Sequence, residues 1–317
     1  MILNSAVKAF GILSVSALIA CGGSGDNPVT GGTVDTDVDP TDPNVVTGQK
    51  FAFDRSVGLV ANSIEFRENV AGDPSDDQLV INNIPFDTTT GEYDRTGTLP
   101  NGWGLYQNTE RNLEGRLQYY AVFNQSATAD VEGGVAASPQ YRGSIGNAGA
   151  VIRRSGTPVS LPVAGIFNYN GSYSGIREID NDLDTTGTVP GITLVTGDAL
   201  VRVDYGDFDV TGDIVGSISN RNVYDVNGTF LGSLSNVSLA EALIDRPTQT
   251  INESGASSQD GLLSGTWEGV FGGPTGNEIA AYVILNGTTP DTPGATPLDP
   301  VIPGVGVREL GVLLVAQ

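Results

Sequence analysis

At 317 residues, with 43 Gly, 17 Pro and 7% aromatic residues, the chain has room for one large or two smaller domains built from many short strands and sharp turns. Its formal charge of −22, with Lys8 and Lys50 the only lysines, opposes nucleic acid and anionic membrane surfaces as partners. Without His and with a single Cys, it cannot assemble a Ser-His-Asp or Cys-His nucleophile, and zinc, copper and haem lose their usual ligands. No enzyme activity and no cofactor are expected, and oxygen-ligated metals such as calcium are what remains.

Residues 1–20 read as a secretory leader: Lys8 supplies the positive region, and residues 9–20 form an apolar run shorter than the about 20 residues a spanning helix needs. The run ends in Leu18-Ile19-Ala20-Cys21, which resembles the lipobox of bacterial lipoproteins. That resemblance implies cleavage before Cys21, acyl chains on its thiol and amine, and a mature protein held to the membrane at Cys21. Two or more acyl chains give stable anchoring. Gly22, rather than Asp, follows the cysteine, which by the same resemblance implies release to the outer membrane. Residues 21–49 are then the lipidated Cys and an acidic tether, too poor in apolar residues to fold. Asp35, Asp37, Asp39 and Asp42 within it read as a self-repelling spacer rather than a calcium site.

Residues 50–160 form a β-rich region. Short apolar runs recur at 57–60, 63–66 and 79–84, Asn101-Gly102 makes a tight turn before Trp103, and residues 117–123 are the strongest strand. Residues 131–152 are rich in small side chains and ambiguous.

Residues 161–317 read as a barrel. Residues 165–177 predict a hairpin turning at Asn170-Gly171, a pair that supplies φ > 0 at both central positions of a type I′ turn. Residues 199–210 alternate, with a phase slip at Gly206 that predicts a β-bulge. Strands follow at 213–220 and, more weakly, at 233–244. In residues 263–285, Trp267, Gly269 and Phe271 share one face of a strand, while Thr266, Glu268 and Val270 share the other; a Gly/Pro turn leads to a return strand that is apolar on both faces, as one packed on both sides would be. With residues 307–316, the count reaches eight strands, enough to close a small barrel filled by its own side chains.

Three stretches carry a family resemblance. The text Phe271-Gly272-Gly273-Pro274 with Glu278, the text Tyr173, Gly175, Arg177, and the segment 117–154 resemble the transferrin-binding-protein-like surface lipoproteins. Departures from the family text are Gly272 in place of an aromatic, a turn one residue longer, and Ala280-Ala281 in place of a glycine pair. The resemblance implies an all-β fold, with a C-terminal eight-stranded antiparallel barrel preceded by a β-rich handle. It also implies an outer-membrane, surface-exposed lipoprotein that binds a protein or solute partner and is exported by the surface-lipoprotein translocon. A structural or adhesive lipoprotein without a discrete ligand is the alternative. An integral outer-membrane barrel is disfavoured, since the lipobox already anchors the chain and Ala316-Gln317 lacks the final aromatic of such barrels.

Two acidic groups stand out. Asp180, Asp182 and Asp184 alternate before Gly187, as calcium loops do, but the glycine falls two positions late and the twelfth residue is Gly191, so a solvated loop competes with a weak calcium site. Asp204, Asp207, Asp209 and Asp213 have the residue type of glycosidase carboxylates, and read as solubilising charge in a chain rich in Asp. The long Thr/Pro/Gly loop 286–306 and the loop 179–193 are the expected partner-recognition loops.

Overall fold

A computed structural model of the chain describes residues 48–85, 87–109, 117–139, 145–155, 160–180, 191–206, 213–289 and 304–317. Cys21, the leader and the tether up to residue 47 lie outside these residues, and Gln49, expected as the end of the tether, instead opens the first strand. Among the described residues the regular structure is antiparallel strand with two single-turn 3-10 helices, and no helix is long and apolar enough to cross a membrane.

The first sheet contains β1 (Gln49–Phe51), β2 (Ser63–Arg67), β3 (Gln78–Asn82), β4 (Glu92–Thr98), β5 (Gly104–Asn108), β6 (Tyr120–Gln125), β7 (Val131–Ala137) and β8 (Ala148–Arg154). From β2 to β8 it is a meander, and β1 returns to pair with β8, giving the order β1-β8-β7-β6-β5-β4-β3-β2. The small-residue stretch 131–152, ambiguous in sequence, forms β7 and β8. Gly102 sits at φ +91 in the β4–β5 turn, with its amide donating to the Leu99 carbonyl, as the Asn-Gly pair predicts. On one face of this sheet Leu79, Tyr93, Tyr106, Tyr119 and Phe123 form a core, and Phe66 stacks on Phe123 at 5.5 Å.

The second sheet contains β9 (Ile166–Ile179), β10 (Ile192–Asp204), β11 (Asp213–Tyr224), β12 (Phe230–Ser233), β13 (Val237–Asp245), β14 (Thr250–Ser258), β15 (Leu263–Gly272), β16 (Glu278–Thr288) and β17 (Gly306–Ala316). Eight of these close on themselves in the order β10-β9-β17-β16-β15-β14-β13-β11, with β11 pairing back to β10 and β12 added beside β11. The eight-stranded antiparallel barrel is therefore present, but two of its expected strands differ.

β9 is one continuous strand, so Asn170-Gly171 is not a turn. Asn170 pairs with Leu200 and Ala316, and Gly171 with Ala199 and Val315. Gly171 is absent from the positive-φ residues. What requires glycine there is close approach: a Cβ would press into the Leu314 carbonyl and lie 2.8 Å from the Val315 Cα. Gly171→Val is thus expected to destabilise by overpacking, about 1–3 kcal/mol, seen as a lower urea midpoint. Full retention of that midpoint would contradict the close strand approach. The eighth strand is β14, whose polar, small-residue text TINESGASS carries little apolar alternation. The phase slip at Gly206 is not a bulge either: β10 ends at Asp204, and Tyr205-Gly206 turn away from it, with the Gly206 amide donating to the Asp204 carboxylate at 3.0 Å. The register shift in the β10–β11 pair falls between Thr196 and Asp198 instead.

The barrel is filled. Tyr169, Tyr173, Val201, Val203, Ile214, Ile218, Trp267, Phe271, Val283 and Leu313 point inward and are buried, each large side chain contributing about 1.5–3 kcal/mol by leaving water. The outer face of the β9–β17–β16–β15 wall is equally apolar because the first sheet packs against it. Ile176, Val270, Ala280, Tyr282, Leu310 and Val312 form a second core with Trp103, Leu105, Val122, Val135 and Ile152. This explains why β16 and β17 are apolar on both faces. Polar clamps cross the same junction. Trp103 Nε1 donates to Ser172 Oγ at 2.8 Å, Ser126 and Thr128 donate to Glu278 at 2.6 and 2.7 Å, and Lys50 pairs with Glu268.

Candidate functional site

The barrel has two dissimilar ends. At one end lie the short turns β13–β14 and β15–β16, and the C-terminal Gln317, whose amide donates to Tyr169 Oη at 3.0 Å. Gly48 also enters there: its carbonyl accepts from the Arg154 amide, and the Arg154 guanidinium reaches the carbonyls of Thr248, Gln249 and Phe271 at 3.1–3.3 Å. At the opposite end, two long connections of the barrel leave adjacent hairpins, β9–β10 and β16–β17. Their bases are fastened side by side, with Val307 opposite Ile179, the Asp180 amide donating to the Gly306 carbonyl at 2.9 Å, and the Thr289 amide donating to the Val305 carbonyl at 2.8 Å. Residues 181–190 and 290–303, which make up most of both loops, lie outside the described residues.

Beneath this end the strands carry charge on both faces, arranged by register. The dipeptides Arg177-Glu178 on β9 and Arg308-Glu309 on β17 run antiparallel, so that Arg308 faces Glu178 and Glu309 faces Arg177. Alternation sends one pair outward and the other inward. Inside the barrel, Arg221 Nη2 donates to both Glu309 oxygens at 2.6 Å, Arg221 Nη1 to the Ser235 carbonyl at 2.5 Å, and Tyr173 Oη to Glu309 at 2.8 Å. Burial, together with the Glu309 charge beside it, holds the Tyr173 hydroxyl protonated far above its ordinary range. The Tyr173 ring lies across Gly311, where any side chain would collide with it.

On the outer face, Arg308 donates to Glu178 at 2.6 and 2.9 Å, to the Gly146 carbonyl at 2.6 Å and to the Val57 carbonyl, tying the barrel rim to the first sheet. Burial raises the Glu178 carboxyl from the usual 4.5 to about 7, a rise opposed by Arg308. The folded protein therefore holds this proton more tightly than the unfolded chain. The resulting stability is fully present below about 4.5 and is lost as pH rises through about 7. Glu178→Gln is expected to flatten that part of the stability–pH curve, measured by urea midpoints between pH 4.5 and 8; an unaltered slope would contradict it.

No group in these networks combines exposure with a reactive partner. They are buried and structural, and sequence reading missed them because pairing Arg308 with Glu178 requires the β9–β17 register. The available signal was an adjacent Arg-Glu pair inside two otherwise uncharged strands. Of the acidic candidates, Asp180 stands at a loop base, while Asp182 and Asp184 lie outside the described residues. Asp204 and Asp213 are register partners along the backbones of β10 and β11, and Asp207 and Asp209 again lie outside. Among the described residues no group of three or more Cys, Asp or Glu is placed to hold a metal ion.

Fold and site together define an all-β protein: a filled eight-stranded barrel, walled on one side by a second sheet and carrying two long neighbouring loops at one end. Solved structures similar to it include a point mutant of Transferrin Binding Protein B from Haemophilus parasuis Hp5 (14% identity, TM-score 0.36, covering 73% of this chain and 40% of that one). Intact Ap-TbpB with its N and C lobes is similar at 15% identity and TM-score 0.36, covering 78% of this chain and 43% of that one. A protein described as Surface Lipoprotein is similar at 13% identity and TM-score 0.35, covering 61% of this chain and 79% of that one. This chain thus spans about two fifths of the transferrin-binding structures. No family model and no curated protein matches it.

Proposed function

We propose that the protein is a surface-exposed lipoprotein of the outer membrane, acylated at Cys21, exported by the surface-lipoprotein translocon, and binding a protein partner at the loop-bearing end of its barrel. The observation that carries this reading is the placement of the two long loops side by side, at the end opposite Gly48. The tether, expected over residues 21–49, leads into the described chain at Gly48, so an anchor at Cys21 leaves the loop end free to face outward. The filled interior directs binding to the outer surface and favours a protein over a small solute lodged in the barrel. A charge of −22 favours a basic partner through faster, salt-sensitive association.

The test compares full-length protein with a variant whose residues 181–190 and 290–303 are replaced by short Gly/Ser linkers. Both are used to capture partners from native surface and medium fractions at low and high salt. The reading expects capture of a basic protein that weakens with salt and is lost in the variant. Salt-insensitive capture of haem, or no partner at either salt, would overturn it and favour a structural or adhesive role.

A further inference from the structure

β11 has different neighbours along its length. Its first part pairs with β13, but Asn222, Val223 and Tyr224 pair with Ser233, Gly232 and Phe230 of β12. On the other side the same three residues meet Leu194–Thr196 of β10. Among the described residues β12 pairs with β11 alone, and is the edge of the sheet at the loop-bearing end. Natural edges are usually blunted by charge, proline or a bulge. The text of β12, FLGS, carries neither charge nor proline, and its four-residue length and one register irregularity beside Tyr224 are what blunt it.

The edge also presents an aromatic side chain. Phe230 is 56% exposed, and its ring meets Tyr224 edge-on at 5.8 Å between centroids. Tyr224 is itself fixed in the core between the two sheets. The turn before Phe230 is braced: the Asp225 carboxylate accepts from the Asn227 and Thr229 amides at 2.9 and 2.8 Å, and the Gly228 amide donates to the Asp225 carbonyl at 3.0 Å. An aromatic held out on a rigid turn loses little freedom on binding, which is what an interface hot spot needs. The charges around the edge are acidic: Asp225 precedes it, Asp260 follows and accepts from Ser235 at 2.7 Å, and Asp198 lies exposed on the same wall.

We infer that β12 is a docking edge for an extended, Lys/Arg-rich segment of the partner protein, which adds to the sheet as a strand and receives Phe230 in an apolar pocket. An unpaired strand edge is satisfied by another strand, whose main chain supplies the hydrogen bonds. The acidic flanks and the charge of −22 select a basic one and disfavour a second copy of this chain. The inference rests on the partner-binding reading above and gives it a specific surface.

The test places a benzophenone photo-crosslinking amino acid at Phe230, at Thr288 beside the second long loop, or at Leu243 at the opposite end of the barrel, in full-length protein in its native membrane. The expected result is an adduct from position 230, absent from 243, that maps by mass spectrometry to a Lys/Arg-rich extended segment of one protein. Phe230→Glu should lower the adduct yield at position 288 by about tenfold or more, as loss of a hot-spot aromatic does. An adduct at 288 with none at 230 overturns the edge and leaves the partner-binding reading standing. Silence at both overturns both. An adduct at 230 to lipid, to another copy of this chain, or to a segment without basic residues overturns the edge.

Discussion

Replacing Glu309 with Ala is expected to destabilise the protein by about 3–5 kcal/mol, the usual consequence of removing one member of a buried ion pair. Arg221 and Glu309 are 1% and 0% exposed, and the carboxylate is the shared acceptor of Arg221 and Tyr173 inside the barrel. Its loss leaves a guanidinium and a hydroxyl in a filled interior that water cannot enter without opening the strands. Glu309→Gln should cost less, because an amide oxygen still accepts from Tyr173. A triple replacement, Glu309→Leu with Arg221→Met and Tyr173→Phe, should recover most of the loss, since a buried pair exchanged for well-packed apolar groups is often neutral. Urea denaturation measures all three. An Ala variant with the parental midpoint would show that the network does not hold the barrel together.

A comparable loss, about 3–5 kcal/mol, is expected for Trp267→Ala. Trp267 is fully buried inside the barrel between Ser254 of β14 and Val283 of β16, and its Nε1 donates to the Ala240 carbonyl at 3.0 Å. Truncation leaves a cavity in a closed wall of strands, which cannot collapse to fill it, and strips Ala240 of a donor. Trp267→Phe should fall between the two. Thermal melts report the order, and an Ala variant as stable as the parent would mean the indole is not packed as described.

The same Trp267 explains what the sequence disclosed and what it hid. Its alternation with Gly269 and Phe271, against Val270 and Glu268, placed β15 correctly because the two faces meet two different cores. β14, its neighbour, escaped notice for the complementary reason. A large indole needs small residues across from it, so Ser254 and Ala256 fill the inward positions and the outward ones face water. At Asn170-Gly171 a local turn rule was overridden by pairing on both sides, to β10 and β17, that no short window reveals. The loop end was legible as two long connections in sequence. That they are neighbours depends on β17 returning to β9, a closure across more than a hundred residues. Phe230 lacked any sequence signal, since a four-residue strand beside a turn looks like loop.

Intact-mass analysis of the protein purified from membranes decides whether Cys21 is the anchor on which the proposed outward orientation of the loop end depends. The expected result is loss of residues 1–20 and an added acyl mass on Cys21. A mature terminus elsewhere, or an unmodified Cys21 thiol, would contradict it.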